Sequence, residues 1–262
     1  MISGARHFSA LAARLRWDPD AIDLAADVDS WRALEPGLRR RLTVLLVGFC
    51  VAEHHVADEL GPFEAAARDP DMAAAFAAQR ADERGHARLF DRVAALILGA
   101  PGQDARSRRQ FVRALAPAAV LDLFERRLPQ AASALAADPS RLVEGVSLYH
   151  LILEGVVLSA GQRALLAELG DGLLPHVRQG VELVERDERW HVGFGLRCML
   201  DLRPEPATVE SLVRQGEHAI DAWGAVVPAD IRSRMLAQHR RRLAAVGLLP
   251  AVDDHVAAGR AG

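Results

Sequence analysis

The stretches DERGH, at residues 82–86, and DERWH, at residues 187–191, decide the fold of this chain. Each holds a glutamate followed three residues later by a histidine, Glu83 to His86 and Glu188 to His191. In an α-helix two residues at this spacing lie side by side on one face. Each stretch therefore predicts a helix that directs a carboxylate and an imidazole toward the same point.

A lone glutamate in an apolar stretch precedes each pair. Glu53 lies thirty residues before Glu83, and Glu154 lies thirty-four residues before Glu188. With fifteen glutamates and ten histidines in 262 residues, random order would give fewer than one Glu-x-x-His pair. Two pairs in corresponding places form an internal repeat, which indicates one site built from both halves of the chain.

The repeated residues match the ligands of a dinuclear metal site. Four helices that carry Glu, Glu-x-x-His, Glu and Glu-x-x-His supply the ligand set of carboxylate-bridged di-iron and di-manganese bundles. Four carboxylates balance the charge of two divalent ions, and oxygen-rich ligation with one imidazole per metal favours iron or manganese over structural zinc. The predicted metal ligands are Glu53, Glu83, His86, Glu154, Glu188 and His191.

Two aspartates stand directly before the paired glutamates. Asp82 precedes Glu83, and Asp187 precedes Glu188. A ligating histidine usually donates its second ring N–H to a carboxylate or a carbonyl. Either aspartate is a hypothetical partner of a histidine across the bundle, and the alternative is a solvated charge on a helix face.

Composition limits the other classes of function. Half of the residues are hydrophobic and only 5% are aromatic, which favours a large helical core. The formal net charge of −3 supplies no basic field for nucleic acid. We find neither a signal sequence nor an apolar run of the length that a membrane span needs, so the expectation is a cytoplasmic protein without a membrane span.

The helix pattern predicts one all-α domain over residues 1–262. Residues 1–36 are expected to form an irregular arm across a four-helix bundle, and residues 248–262 a flexible tail. Pro36 is expected to open the first long helix. Ser140 is expected to cap the helix that carries Glu154. The predicted helices are 36–67, 71–98, 104–136 with interruptions near Pro117 and Pro129, 141–169, 174–202, 205–226 and 229–247.

Several motifs together resemble the small subunit of ribonucleotide reductase and, more closely, its relatives the ligand-binding oxidases. They are Trp17-Asp18-Pro19, Glu53-His54-His55-Val56, Glu83-Arg84-Gly85-His86, Tyr149 to Gly155 (YHLILEG), and Asp187 to His191. The resemblance implies a ferritin-like bundle with covering helices and a manganese/iron or di-iron centre held by the six residues above. It also implies a bound long-chain fatty acid, two-electron oxidation by O2, and a homodimer.

Tyrosine separates the two branches of this resemblance. A reductase subunit passes a radical to a large partner subunit through redox-active residues that include a tyrosine in its C-terminal tail, whereas the only tyrosine here is Tyr149. The position four residues after His86, often the radical tyrosine of reductase subunits, is Phe90, which alone decides nothing because a manganese/iron subclass of reductase also has phenylalanine there. The missing tail tyrosine carries more weight. A large reductase partner is therefore not expected, and the reductase subunit is the alternative function, followed by a ferritin-like iron oxidation and storage protein.

In the ligand-binding oxidases a tyrosine five residues before the third glutamate forms an ether with the Cβ of a valine three residues after the first. The resemblance places these roles on Tyr149 and Val56. Val56 follows Glu53 by one helical turn, but five residues on an ideal α-helix are about 140° apart, so spacing alone favours His150 or Leu151 over Tyr149. Two positions depart from related families. Gln162 stands where ligand-binding oxidases have a second tyrosine, and Val184 stands where arylamine oxygenases have an extra histidine.

Overall fold

The computed structural model describes residues 3–170 and 172–250, and none of them lies in a β-strand. The all-α class is therefore confirmed. The α-helices are α1 (Ala5–Leu15), α2 (Val28–Ala33), α3 (Pro36–Glu59), α4 (Gly61–Ala66), α5 (Pro70–Leu96), α6 (Ala105–Leu115), α7 (Ala118–Leu121), α8 (Leu128–Ala137), α9 (Leu142–Val146), α10 (Ser159–Leu169), α11 (Pro175–Leu202), α12 (Pro206–Glu217) and α13 (Ala229–Ala245). Two π-helical segments, Asp122–Arg127 and Ser147–Leu158, join neighbouring α-helices without a break.

Four long helices form the bundle. Helix α3 packs on α5, α5 packs on α11, and α11 packs on the continuous helix made of α9, the segment Ser147–Leu158 and α10. Helix α10 returns to α3 and closes the bundle. Helices α12 and α13 cover the Ser147–Leu158 segment from outside. This closed arrangement lets four helices direct polar side chains into one dry interior.

The starts of α3 and α5 follow from local chemistry. Each begins with a proline, which lacks the N–H that would be unpaired in the first turn. The carboxylate before each proline accepts a free backbone N–H: Glu35 accepts from Leu38 at 2.9 Å, and Asp69 accepts from Asp71 at 2.8 Å. The prediction that Pro36 opens a helix is confirmed.

The predicted single helix 36–67 is wrong, because it ends at Glu59 and a new helix starts at Gly61. Pro62 occupies the first turn of α4. A proline inside a continuous helix would remove one hydrogen bond and clash with the preceding turn, so the chain turns there instead.

Two further boundaries differ from expectation around residues 117–142. The predicted interruption near Pro117 is present, between the end of α6 and the start of α7. The one near Pro129 is absent. Pro129 lies in the first turn of α8, because the preceding Asp122–Arg127 segment has the wider π-helical turn that accommodates a proline. The expected Ser140 cap is also wrong: the N-cap of α9 is Arg141, without a side-chain hydrogen bond, and Asp138 caps the 3-10 turn Pro139–Arg141 that precedes α9. The Asp138 carboxylate accepts from the Ser140 backbone N–H at 3.0 Å.

The N-terminal arm is more regular than predicted. Ala5, Phe8 and Ala12 recur at helical spacing and give α1 a buried stripe, with which it packs on α5 and α11. Asp27 is also buried and accepts the backbone N–H groups of His176, at 2.9 Å, and Val177, at 2.7 Å. The arm thus caps the helix that carries Glu188 and His191.

The predicted flexible tail 248–262 is partly wrong. Leu248 is buried in the core, and its backbone N–H donates to the Leu243 carbonyl at 2.9 Å, because the helix end after α13 folds back on its last turn. Residues 251–262 lie outside the described part of the chain.

One helical stretch, Pro139–Leu169, is long and apolar enough to cross a membrane by length and composition alone. Our sequence analysis finds no run of this length, because Glu144 and Glu154 interrupt the apolar residues. In this fold 78% of its most apolar window is buried inside the protein, which is how the core helix of a bundle behaves.

Gly195 lets two bundle helices approach each other. A Cβ atom at this position of α11 would overlap the His150 side chain on the Ser147–Leu158 segment. Gly195 follows His191 by one turn. The close approach therefore sets the distance between the helices that carry Glu154 and Glu188.

Candidate metal centre

Four bundle helices bring the six predicted ligands into one buried cluster. Glu53 lies on α3, Glu83 and His86 on α5, Glu154 on the Ser147–Leu158 segment, and Glu188 and His191 on α11. None of these side chains is more than 4% exposed.

The cluster divides into two overlapping groups. Glu53 and His86 form one end, Glu154 and His191 form the other, and Glu83 and Glu188 belong to both. Within each group one ligand atom from every residue lies within 4.8 Å of the others. Two ions placed in these groups would share the two central carboxylates, which is the arrangement of a carboxylate-bridged metal pair.

The histidines present the same ring atom to the cluster. His86 Nδ1 lies 3.0 Å from Glu83 Oε2, 3.5 Å from Glu53 Oε2 and 3.8 Å from Glu188 Oε1. His191 Nδ1 lies 3.0 Å from Glu83 Oε1, 3.4 Å from Glu154 Oε1 and 3.7 Å from Glu188 Oε2. The pattern is the same at both ends, as the internal repeat requires.

Several buried atoms in the cluster have no hydrogen-bond partner. They are both carboxylate oxygens of Glu53, both of Glu188, Glu154 Oε2 and both ring nitrogens of His191. An unpaired buried polar atom is costly, and an unpaired buried charge is more so. Divalent cations would satisfy the carboxylate oxygens and His191 Nδ1 together, so the residues fit a pair of oxygen-preferring metals.

Burial and mutual repulsion hold protons on the carboxylates. Burial, opposed by His86 and reinforced by Glu83, raises the pKa of Glu53 to about 7. Burial and the nearby Glu83 raise the pKa of Glu188 to about 7, and burial with Glu188 raises the pKa of Glu154 well above its ordinary value. Metal binding must therefore displace protons near neutral pH.

Glu83 behaves differently from the other three glutamates. Burial alone would raise its pKa, but the two histidines around it outweigh burial and hold its pKa well below the ordinary value. Against the effect of burial, Asp187, Glu53 and Glu83 raise the pKa of His86. Glu83 and Glu154 likewise raise the pKa of His191. Glu83 is thus the carboxylate that stays ionised when the others are protonated.

Both hypothetical aspartate partners face histidines of the opposite half. His86 Nε2 lies 3.4 Å from Asp187 Oδ2, and His191 Nε2 lies 3.9 Å from Asp82 Oδ2. Asp187 is buried, whereas 12% of the Asp82 side chain is exposed. Asp187 can therefore orient the His86 imidazole so that Nδ1 faces the cluster, whereas Asp82 faces His191 Nε2 from beyond hydrogen-bond distance.

The N-terminal arm reaches this outer layer through Trp17. Its indole N–H donates to Asp187 Oδ2 at 2.6 Å, and its ring stacks on His86 with 6.2 Å between centroids. Sequence reasoning includes Trp17 only in the resemblance, because no spacing rule connects residue 17 with residue 187.

Tyr149 lies at the edge of the cluster, where its hydroxyl is hydrogen-bonded to Glu83 and to Gln79. Its hydroxyl donates to Glu83 Oε1 at 2.7 Å and accepts from Gln79 Nε2 at 3.0 Å. Gln79 Nε2 also donates to Glu154 Oε1 at 2.9 Å. Burial and the carboxylates of Glu154 and Glu83 raise the pKa of Tyr149 well above its ordinary value. The side chain is therefore a neutral phenol.

The π-helical turn explains why Tyr149 and Glu154 share one side of their helix. In the Ser147–Leu158 segment hydrogen bonds connect residues five apart, so residues at this spacing stack instead of standing about 140° apart. The expectation from α-helical geometry, that His150 or Leu151 would face the metals, is wrong for this reason. Val56 is buried on α3, one turn after Glu53.

Gln79 is the site residue that sequence reasoning missed. It is fully buried, and its Oε1 lies 3.0 Å from His150 Nε2 while its Nε2 serves Tyr149 and Glu154. Its position four residues before Glu83, on the same helix face, was a usable signal.

We expect Gln79→Met to lower the free energy of unfolding of the metal-free protein by about 1 to 3 kcal/mol, because at nearly constant volume it leaves His150 Nε2 without a partner and removes the donor to Tyr149 and Glu154. Urea denaturation measures this change. Gln110→Met, at an exposed position, is the matched control and should change stability by less than about 0.5 kcal/mol. Equal stabilities of the two variants would show that the Gln79 hydrogen bonds contribute nothing.

Comparison with known proteins agrees with this geometry. Residues 4–220 match the family model described as "Ribonucleotide reductase, small chain". Among solved structures, an R2-like ligand-binding oxidase carrying a Tyr-to-Phe substitution, with aerobically reconstituted Mn/Fe cofactor, superposes with a TM-score of 0.74 over 92% of both chains at 20% identity.

A Gly-to-Phe variant of an R2-like ligand-binding oxidase, with anaerobically reconstituted Mn/Fe cofactor, gives a TM-score of 0.76 over 93% of both chains at 20% identity. At this identity the similarity of the structures establishes the fold. The ferritin-like architecture expected from the sequence is confirmed.

Proposed function

This chain belongs to the ribonucleotide reductase small chain family, and from that premise we propose that it is an O2-activating dinuclear oxidase of the ligand-binding type. The observation that supports this most strongly is the pair of overlapping buried groups that share Glu83 and Glu188. The solved structures that resemble it carry a Mn/Fe cofactor, and we propose manganese and iron, or two irons, for this site.

The proposal assigns a role to each residue of the cluster. Glu53 and His86 would hold one metal, Glu154 and His191 the other, and Glu83 and Glu188 would bridge them. When bound, a metal pair would supply the oxidising chemistry: oxidation of two divalent ions to the trivalent state would provide two of the four electrons that reduce O2 to two water molecules, with two protons from solvent.

Tyr149 and Val56 would supply the other two electrons in a first turnover. An ether between the phenolic oxygen and the valine Cβ forms one O–C bond and releases one hydrogen from each residue, and both hydrogens pass with their electrons to O2. The Tyr149 hydroxyl already donates to Glu83 Oε1 at 2.7 Å, so the phenolic proton has an acceptor in place. Both side chains are at most 1% exposed, which keeps water away from the reacting carbon.

The tyrosine content supports the oxidase over a reductase subunit. Phe90, at the position of the usual radical tyrosine, is buried and stacked on Phe49 with 5.5 Å between ring centroids, but it does not separate the two, because a manganese/iron subclass of reductase also has phenylalanine there. The only tyrosine of the sequence, Tyr149, is hydrogen-bonded at the metal cluster. Its side chain therefore serves chemistry at the centre and does not leave a radical carrier for a large partner subunit.

The proposal extends to the setting of the protein. We include a homodimer and a long-chain fatty acid as ligand, which follow from the resemblance, and the cytoplasmic location expected from the sequence. Size-exclusion chromatography with light scattering tests the homodimer, and lipid extraction with mass spectrometry of purified protein tests the fatty acid.

Peptide mass mapping tests the oxidase chemistry. Protein loaded anaerobically with Mn(II) and Fe(II) is exposed to O2 and digested with trypsin, which releases residues 42–68 with Val56 and residues 142–163 with Tyr149. We expect one linked species whose mass is the sum of both peptides less two hydrogens. Tyr149→Phe, which lacks the phenolic oxygen, is the control and should give only separate peptides.

If fully metallated, O2-exposed protein shows only separate peptides, the cross-link is rejected and iron storage becomes the better function. Storage predicts uptake of many irons per chain as a mineral, which a metal count on the same sample distinguishes from a bound pair.

A further inference from the structure

A cavity of about 230 Å³ lies between α10, α11 and α13 and reaches the metal cluster. Its lining includes Glu188, one of the two shared carboxylates. The remaining lining is rich in polar side chains, among them Gln162, Arg163, Glu185, Arg189 and Arg242. A molecule bound there would lie beside the metal centre.

Two of the three arginines in this cavity already have an acidic partner. Arg163 Nη2 lies 3.1 Å from Glu185 Oε1, and Arg189 Nη2 lies 3.3 Å from Glu185 Oε2. Glu185 therefore bridges two guanidinium groups. Its carboxylate is engaged at both oxygens.

Arg242 has no such partner within the described residues 3–170 and 172–250, where neither an ion pair nor a hydrogen bond engages its guanidinium. The side chain is half-buried between other elements. Burial and the positive charge of Arg163 lower its pKa, as expected for a cation that lacks a counter-ion. A guanidinium stays protonated in proteins, so its positive charge faces the cavity uncompensated.

Gln162 adds a second unsatisfied group to the same cavity. The residue is only 2% exposed, and its amide Nε2 has no hydrogen-bond partner. A buried amide N–H without an acceptor costs free energy, which a bound ligand would recover. This donor and the Arg242 guanidinium line one cavity and both require an acceptor.

We propose that this cavity binds a small carboxylate, anchored by Arg242 and Gln162, with its organic part directed toward Glu188. A planar guanidinium takes both oxygens of one carboxylate in a bidentate pair, and a single unpaired arginine matches a single negative charge. The volume lies below the range of about 300 to 1,000 Å³ of pockets for drug-sized ligands, which favours a short molecule over a long acyl chain. That this molecule is also the substrate of oxidation rests on the proposed function.

Calorimetry under anaerobic conditions tests the site without any turnover. Protein loaded with Mn(II) is titrated with benzoate and acetate, and with benzamide as the uncharged match to benzoate. We expect benzoate to bind at least about tenfold more tightly than benzamide, and Arg242→Gln to weaken benzoate by about tenfold or more. Arg242→Lys keeps the positive charge but not the planar pair of guanidinium donors, so it should reduce the affinity for benzoate less than Arg242→Gln does.

Arg241→Gln is the matched control, because Arg241 is the exposed neighbour on the same helix. It should bind benzoate as the parent chain does. Manganese content and circular dichroism of each variant verify the fold. If Arg242→Gln does not fold, Gln162→Leu takes its place. We expect it to weaken benzoate binding by roughly fivefold, because one hydrogen-bond donor is missing.

Two results would overturn the inference. One is equal benzoate affinity in the parent, Arg242→Gln and Gln162→Leu, which would place the carboxylate on the metals instead. The other is the absence of binding of both carboxylates to the parent chain. Neither readout uses O2, so an active oxidase without carboxylate binding would refute only this site, and a binding protein without oxidase activity would refute only the proposed function.

Discussion

A Glu188→Gln variant is expected to lose the metal pair and yet to be more stable than the parent chain when both are metal-free. Glu188 belongs to both ligand groups, and glutamine has the same shape without the charge or the second carboxylate oxygen. Loss of a shared ligand should weaken metal binding by more than about 100-fold, since removing even an outer partner of a ligand costs 10- to 100-fold. Metal analysis should then find fewer than one ion per chain.

The gain in stability of the metal-free variant has the opposite origin. Without metals both oxygens of Glu188 are buried and unpaired, and burial raises its pKa to about 7. At pH 8 the parent chain must keep this charge next to other carboxylates, whereas the amide carries none. We expect urea denaturation at pH 8 to show a gain of about 1 to 3 kcal/mol.

Glu182→Gln is the control for both measurements. Glu182 lies on the same helix, and its side chain is 48% exposed, 2.8 Å from Arg178. Metal content should stay at the parent level, and stability should change by less than about 1 kcal/mol. A Glu188→Gln protein that retains two metals would contradict a shared ligand at this position. One that loses stability in the metal-free form would contradict a costly buried charge there.

The second large effect is the pH dependence of metal binding. Glu53 and Glu188 each have a pKa of about 7 in the metal-free fold, so below this pH a metal must displace a proton from each. These two displaced protons alone make the apparent constant for binding the metal pair fall by about 100-fold for each pH unit below 7, and protons displaced from Glu154, His86 and His191 make the fall steeper. Competition titrations with Mn(II) between pH 5.5 and 8 measure this slope.

The metal-free protein should show the opposite trend in stability. The pKa of these two glutamates is raised above the ordinary 4.5, so the folded chain holds protons that the unfolded chain has released. The contribution of these two glutamates to the stability of the fold is therefore fully present below about pH 4.5 and is lost as the pH rises through about 7. The raised pKa values of His86 and His191 act in the same direction.

Below pH 7, Glu53→Gln should make the pH slope of metal binding shallower by about tenfold for each pH unit, because one fewer proton is displaced. Glu59→Gln, six residues later on the same helix, should leave the slope unchanged, since Glu59 belongs to neither ligand group. Metal binding that releases no protons in weakly buffered solution at pH 6 would show that the two carboxylates are already ionised.

The features that local sequence could predict are those that depend on helical spacing. Three-residue spacing placed Glu83 beside His86 and Glu188 beside His191, and the repeat predicted that Glu53 and Glu154 belong to the same site. The same reasoning predicted the long helices, whose starts depend on prolines and capping carboxylates within a few residues. It failed at Gly61-Pro62 and in the arm, where short helices depend on what they pack against.

By itself, the sequence determined the helical class, the bundle and the six clustered side chains, because periodicity and ligand type are local properties that survive any detail of packing. Only the tertiary structure decided which carboxylates are shared, that a π-helical turn carries Tyr149 round to Glu154, and that Gln79 connects them. It also decided that Trp17 reaches Asp187 and that Arg242 faces a cavity beside Glu188. These relations join residues far apart in the chain, and they follow from how the helices pack against one another.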